Sequence, residues 1–194
     1  MLSTRFKEAL VYATRLHKDQ YRKGTGVPYV SHLLAVCSIV LDYGGDEDEA
    51  IAALLHDAVE DQGGQPTLDG IRERFGPVVA DTVAGCSDSD VWPKPPWRRR
   101  KEDYIAHLYS ASPAIRLVSA ADKLHNAQSM LRDYRLLGNE LWTRFHTGQD
   151  EQLWYYRTVT SAFQQTGTAP ALVAELDRTV GELERLAAAG KETP

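Results

Sequence analysis

Apolar positions recur along the chain every three to four residues. Phe6, Ala9, Ala13 and Leu16 share one face of a helix predicted over residues 3–20. The stretch KGTGVP breaks that pattern, and Pro28 suits the first turn of a second helix running to about Tyr43. GGDEDEA ends it and starts a third, since acidic residues are favourable in a first helical turn. This third helix is predicted to run through AALLHDAVEDQ, residues 52–62, as far as Gly63-Gly64, with its charges at the C-terminal end. Shorter helices are predicted at 68–75 and 77–85. WPKPPW then forms a Pro-rich surface loop. Further helices are expected at 98–109, 113–133, 150–165 and 169–188, with a fraying tail beyond Gly190. No alternating strand pattern of useful length and no internal repeat interrupts them. The class is all-α, a bundle of about eight or more helices.

Composition narrows what such a bundle does. With 194 residues, one core is the default, so residues 1–188 are expected to form a single domain and 189–194 a disordered tail. Hydrophobic residues at 43% and charged residues at 25% describe a globular chain. A net charge of −5 offers no footprint for a nucleic-acid polymer, so a small anionic partner would need a local basic pocket. The start MLSTRFKEAL carries charges where a signal peptide needs an apolar stretch. LLAVCSIVL is too short to cross a bilayer, so a cytoplasmic protein is expected. Cys37 and Cys86 are too few for a thiolate metal site, so any metal must be held by nitrogen and oxygen.

Candidate chemistry sits in HDAVED. His56 and Asp57 are adjacent and able to lean on one point, which suits a divalent cation. Glu60 and Asp61 lie one turn on, where they could handle a water activated by that cation. Two further polar residues fall in apolar helical faces: His32 in PYVSHLLAV and Asp122 in RLVSAADKLHNA. An unpaired buried carboxylate costs several kcal/mol, so a shared metal would explain all four together. Lys94 and RRRK, residues 98–101, could meet substrate phosphates or equally form a solvated face.

In order, His32, the pair His56-Asp57 and Asp122 match the H…HD…D pattern of the HD-domain metal-dependent phosphohydrolases. The added ED of HDAVED resembles the hydrolase domain of RelA/SpoT-type enzymes and the stand-alone small alarmone hydrolases. HKDQYRKGTGVPYVSH, IRERFGPVVADTVAGCSD and RLVSAADKLHNA are similar to that family's successive blocks. The resemblance implies His32, His56, Asp57 and Asp122 as ligands of one divalent ion, usually Mn²⁺. It implies Glu60 and Asp61 as the residues that position and deprotonate water, and Arg22, Lys23, Asn126 and Tyr155 as contacts to a nucleotide. The implied reaction removes the 3′-pyrophosphate of (p)ppGpp, leaving GDP or GTP. His125 is expected to be structural or to support a ligand.

Two positions depart from the family pattern: Gln62 follows the ED pair where threonine is commoner, and Glu151 stands in a region where animal relatives supply an arginine. Phosphate contacts, and substrate choice with them, are therefore open. The rival readings are an enzyme of this fold acting on another phosphorylated nucleotide or metabolite, and a nucleotide-sensing module without turnover.

Overall fold

Helices begin where the sequence offers a cap. In the computed structural model, which describes residues 2–87 and 93–191, the Ser3 side chain accepts the Arg5 N–H to open α1 (Thr4–Leu16). After α2 (Val30–Asp42), Asp46 and Glu49 form a reciprocal capping box at the head of α3 (Glu47–Leu55). Four-residue α4 (Ala58–Asp61) follows. Gly76, at φ +89°, then separates α5 (Gln65–Phe75) from α6 (Pro77–Cys86) in a backbone region that favours glycine. Beyond α7 (Trp97–Leu108), Ser112 caps α8 (Pro113–Leu137) by accepting the Ile115 N–H. A 3₁₀ helix (Gly138–Arg144), α9 (Gly148–Gln165) and α10 (Pro170–Lys191) complete the described residues, which contain no strand. The all-α expectation holds.

The centre of the bundle is α3. Every residue from Ala50 to Leu55 is fully buried, and its alanines let α1, α2, α6 and α8 close around it. The 25-residue α8 crosses between α2 and α10 and is buried over five consecutive residues, Val118–Asp122. A helix without a solvent face there is a core element, so a carboxylate on it needs a partner.

Several boundaries moved. The first helix stops at Leu16: the His17 N–H makes a last helical bond to Ala13 O, and the chain then turns, with the Gln20 N–H donating to His17 O. Residues 21–28 then make a narrow loop in which the Arg22 N–H donates to Val27 O and the Tyr29 N–H to Gln20 O, leaving Pro28 just ahead of α2. The predicted third helix is two helices, interrupted at His56-Asp57. Helix α8 runs to Leu137, ended by Gly138 at φ +57°, and α10 continues to Lys191, past the expected end at 188. Trp92 of the Pro-rich loop and residues 192–194 of the expected tail lie outside the described residues; Pro93–Pro96 is non-helical, as expected.

Candidate metal centre

The interruption of α3 aims the site. His56 and Asp57 keep near-helical dihedrals, but the His56 side chain turns back so that Nδ1 lies 2.8 Å from Ala53 O. A carbonyl only accepts, so Nδ1 carries the hydrogen and Nε2 presents a lone pair to the interior. Tyr29 donates its hydroxyl to Asp57 Oδ2 at 2.6 Å and fixes that carboxylate. Glu60 and Asp61 fall in the four-residue α4, and not at the end of one continuous third helix.

Four donors from α2, the α3–α4 break and α8 converge. His56 Nε2 is 3.0 Å from Asp57 Oδ2 and 3.6 Å from Asp122 Oδ1. His32 Nε2 is 3.2 Å from Asp122 Oδ1 and 3.5 Å from Asp57 Oδ2. Ligand atoms of His32, His56 and Asp57 all lie within 4.8 Å of one another. Both Nε2 atoms are buried and lack a hydrogen-bond partner, an arrangement that costs about 1–3 kcal/mol per group unless something fills it. Electrostatics agree. Burial pulls the His56 pKa down, but the Asp57 and Asp122 carboxylates outweigh it and hold it well above its ordinary value. Burial likewise opposes ionisation of Asp57 and Asp122, yet both stay well below the usual carboxylate range. His56 and His32 act on Asp57; Lys123 and the same histidines act on Asp122. The centre of the cluster calls for positive charge, and two imidazole lone pairs with two carboxylates fit a divalent cation.

The surroundings complete a shell. His125, left open as structural or supporting, stands with its Nδ1 2.7 Å from His32 Nδ1. Burial, then the neighbouring His32 and Arg22, lower the His125 pKa to about 4. With His32 Nε2 turned to the carboxylates as a ligand atom, its hydrogen lies on Nδ1, and neutral His125 accepts it. Asn126 donates to Asp122 Oδ1, and Arg22 donates to Asn126 Oδ1 at 2.8 Å, so two residues far apart in the chain meet at one ligand. Glu60 pairs with Lys94 at 2.7 Å, and Asp61 accepts from Gln20 Nε2 at 2.8 Å. Asp61 keeps part of its surface open, yet desolvation and then the Asp57 charge push its carboxyl up to about 6.

Two neighbouring cavities adjoin the cluster. The smaller, of about 180 Å³, is lined by Asp57, Glu60, Asp122, Lys101, Lys123 and Tyr155. The larger, of about 650 Å³, includes Lys23, His125, Arg132, Arg144 and Phe145. Arg22, Tyr29 and Asn126 line both and form the wall between them. Tyr155 is buried with its hydroxyl unpartnered, and the Lys101 ammonium lies 4.9 Å from its ring centre. Nine of the ten candidate residues therefore stand at the cluster or its cavities; Asp61 lines neither cavity, and what reaches it from the cluster is the charge of Asp57. The RRRK segment divides: Arg98 and Arg99 pair with Glu102 and Asp103 outside, whereas Lys101 faces the site. Glu151 pairs with Arg98, which stacks on Trp154. Another groove of about 400 Å³ between α1 and α5 contains none of these groups.

Sequence reasoning passed over Tyr29 and Lys123. Lys123, beside Asp122 in ADKLH, is buried, bonds Asp122 Oδ2 and lies 5.1 Å from the Tyr104 ring. Its adjacency to a candidate ligand was the available signal; Tyr29 had none, because its partner is 28 residues away.

A helical bundle that closes two histidines and two aspartates around one point defines a class, the α-helical proteins with a buried mixed nitrogen–oxygen metal centre. Residues 9–145 match the HD domain, and the chain belongs to the HD-domain family. It is similar to guanosine-3′,5′-bis(diphosphate) 3′-pyrophosphohydrolase MESH1 of Homo sapiens, with 36% identity over 155 residues, 78% of this chain and 81% of that protein. The Drosophila melanogaster MESH1 is 34% identical over 145 residues, 73% of this chain and 76% of its own. Among solved structures, a metazoan orthologue of SpoT that hydrolyses ppGpp superposes with a TM-score of 0.75 at 29% identity, covering 92% of this chain and 95% of its own.

Proposed function

We propose that this protein is a metal-dependent hydrolase that releases the 3′-pyrophosphate of guanosine 3′,5′-bis(diphosphate) and its 5′-triphosphate counterpart, leaving GDP or GTP. One observation carries the hydrolytic reading: two buried, unpartnered Nε2 atoms face two carboxylates at the floor of a cavity edged by lysines. The guanosine substrate is drawn from the relatives named for it. The shared hydrophobic core supports residues 1–188 working as one domain, and a free nucleotide substrate suits a cytoplasmic enzyme.

His32, His56, Asp57 and Asp122 would hold the cation, which we take to be Mn²⁺, compatible with a donor set of nitrogen and oxygen. Bound there, it supplies a Lewis acid and makes water a competent nucleophile near neutral pH. Glu60 and Asp61 orient the attacking water and take its proton. A new P–O bond forms from that water, the bond from phosphorus to the ribose 3′-oxygen breaks, and the 3′-oxygen leaves with the proton that the carboxylates took from the water. Lys101 and Lys123 face the pyrophosphate and offset its growing charge in a confined space. The wall residues Arg22 and Asn126, with Lys23, hold the nucleoside in the larger cavity, and the free Tyr155 hydroxyl donates to a phosphate oxygen.

The test is pyrophosphate release from ppGpp by Mn²⁺-loaded wild type and by a His56→Ala, Asp57→Ala variant. Release by the wild type alone is expected. No release from wild type whose bound Mn²⁺ has been measured would refute the substrate assignment.

A further inference from the structure

Asp61 is held by a side-chain relay that the roles above do not use. Gln20, in the turn after α1, donates from Nε2 to Asp61 Oδ2 at 2.8 Å. Its Oε1 lies 2.6 Å from His17 Nδ1 and also meets Gln62 Nε2. A carboxylate only accepts, so Gln20 must turn its NH₂ toward Asp61. Its carbonyl then faces two groups, both of which must donate. This fixes three orientations at once. His17 carries its hydrogen on Nδ1, Gln62 presents its amide NH₂, and Gln20 cannot flip while Asp61 is ionised. The clamp is anchored at its far end. His17 is only 2% exposed, and its ring stacks at 16° on Tyr29, the residue that bonds Asp57. Burial lowers the His17 pKa, so it stays neutral and keeps its ring-nitrogen donor at working pH. Gln62 supplies the second donor to the clamp.

We infer that Gln20, clamped by His17 and Gln62, is a positioning residue that aims the Asp61 carboxylate at the attacking water. The inference rests on Asp61 being a proton acceptor in the proposed reaction. A side chain at an exposed helix end has little packing to hold its alignment, and misplacing a reacting group by about 1 Å can cost on the order of 100-fold in rate. A relay of three hydrogen bonds to a buried, stacked ring restrains it. Because the Gln20 side chain bonds neither a metal ligand nor a residue lining the larger cavity, its loss should slow turnover and leave binding alone.

The experiment compares wild type with Asp61→Asn, Gln20→Ala, His17→Ala and His17→Asn. It measures kcat and KM for ppGpp, and the Mn²⁺ Kd of the metal-free proteins by electron paramagnetic resonance. Gln20→Ala is expected to lower kcat about tenfold, with KM and the Mn²⁺ Kd within about twofold of wild type. His17→Ala should show a smaller fall that His17→Asn reverses, because the asparagine NH₂ replaces the Nδ1 donor. If Asp61→Asn abolishes turnover while Gln20→Ala keeps wild-type kcat, the positioning role is overturned and the acceptor role stands. If Asp61→Asn itself turns over like wild type, the acceptor reading fails and takes the relay with it. Parallel changes in Mn²⁺ Kd, or no rescue by His17→Asn, would mark the relay as merely structural and overturn the inference.

Discussion

Asp61 should make the protein less stable in exchange for its chemistry, and Asp61→Asn exposes that trade. The carboxyl is raised from its ordinary 3.8 to about 6, first by desolvation and then by the Asp57 charge. In the folded state it therefore binds its proton more tightly than in the unfolded chain. The favourable contribution of the protonated group is fully present below pH 3.8 and is lost as pH rises through about 6. Above that, the native state carries the cost of an ionised group it disfavours. At ~1.4 kcal/mol per tenfold, the full shift corresponds to about 3 kcal/mol; partial exposure and water screening reduce this to about 1 kcal/mol. For a domain of this size that is about 2–4 °C in Tm. Asparagine keeps one oxygen to accept from Gln20 and removes the charge. Thermal unfolding of the metal-free proteins should find the variant more stable by this amount at pH 7.5 and indistinguishable from wild type near pH 4, with hydrolysis at pH 7.5 reduced at least about 100-fold. Equal or lower stability of the variant at pH 7.5, or an advantage that persists unchanged at pH 4, would refute the electrostatic reasoning.

Other outcomes are equally specific. Tyr29→Phe removes the 2.6 Å donor to Asp57 and should weaken Mn²⁺ binding about tenfold by calorimetric titration, with the fold intact by circular dichroism. His125→Ala should weaken Mn²⁺ by a similar factor and His125→Asn less, since asparagine restores an acceptor for His32; equal losses would rule out the hydrogen-bond explanation. Mn²⁺ at about 100 times its Kd should stabilise the protein by about 2.7 kcal/mol, reversed by chelator, whereas the His56→Ala, Asp57→Ala variant should not respond. Phe163→Ala, at a fully buried ring in the core, should cost about 3–5 kcal/mol in denaturant unfolding without changing the KM of whatever folded enzyme remains.

The parts of the molecule that could be read from residues were those with local causes. Helix positions followed from apolar spacing, from the acidic first turn in GGDEDEA and from the Gly and Pro breaks between helices. His32, His56, Asp57 and Asp122 were visible because polar groups in apolar helical faces demand a partner, and the family pattern named the same four. The break between α3 and α4 was not legible: His56 and Asp57 adopt dihedrals any helix tolerates, and the interruption comes with an imidazole bonding back to Ala53. Tyr29, Gln20 and Lys123 were missed for a related reason. Tyr29 and Gln20 act on carboxylates 28 and 41 residues away, distances at which periodicity carries no information. In RRRK, position alone could not separate Lys101, which faces the site, from Arg98 and Arg99, which do not.

The wall shared by the two cavities ties their contents to one carboxylate of the cluster. Arg22 holds Asn126, and Asn126 holds the Asp122 oxygen that faces both histidines. Because Arg22 and Asn126 line both compartments, an anion that draws Arg22 away in either one releases the Asn126 carbonyl oxygen, and the chain of bonds carries that change to Asp122.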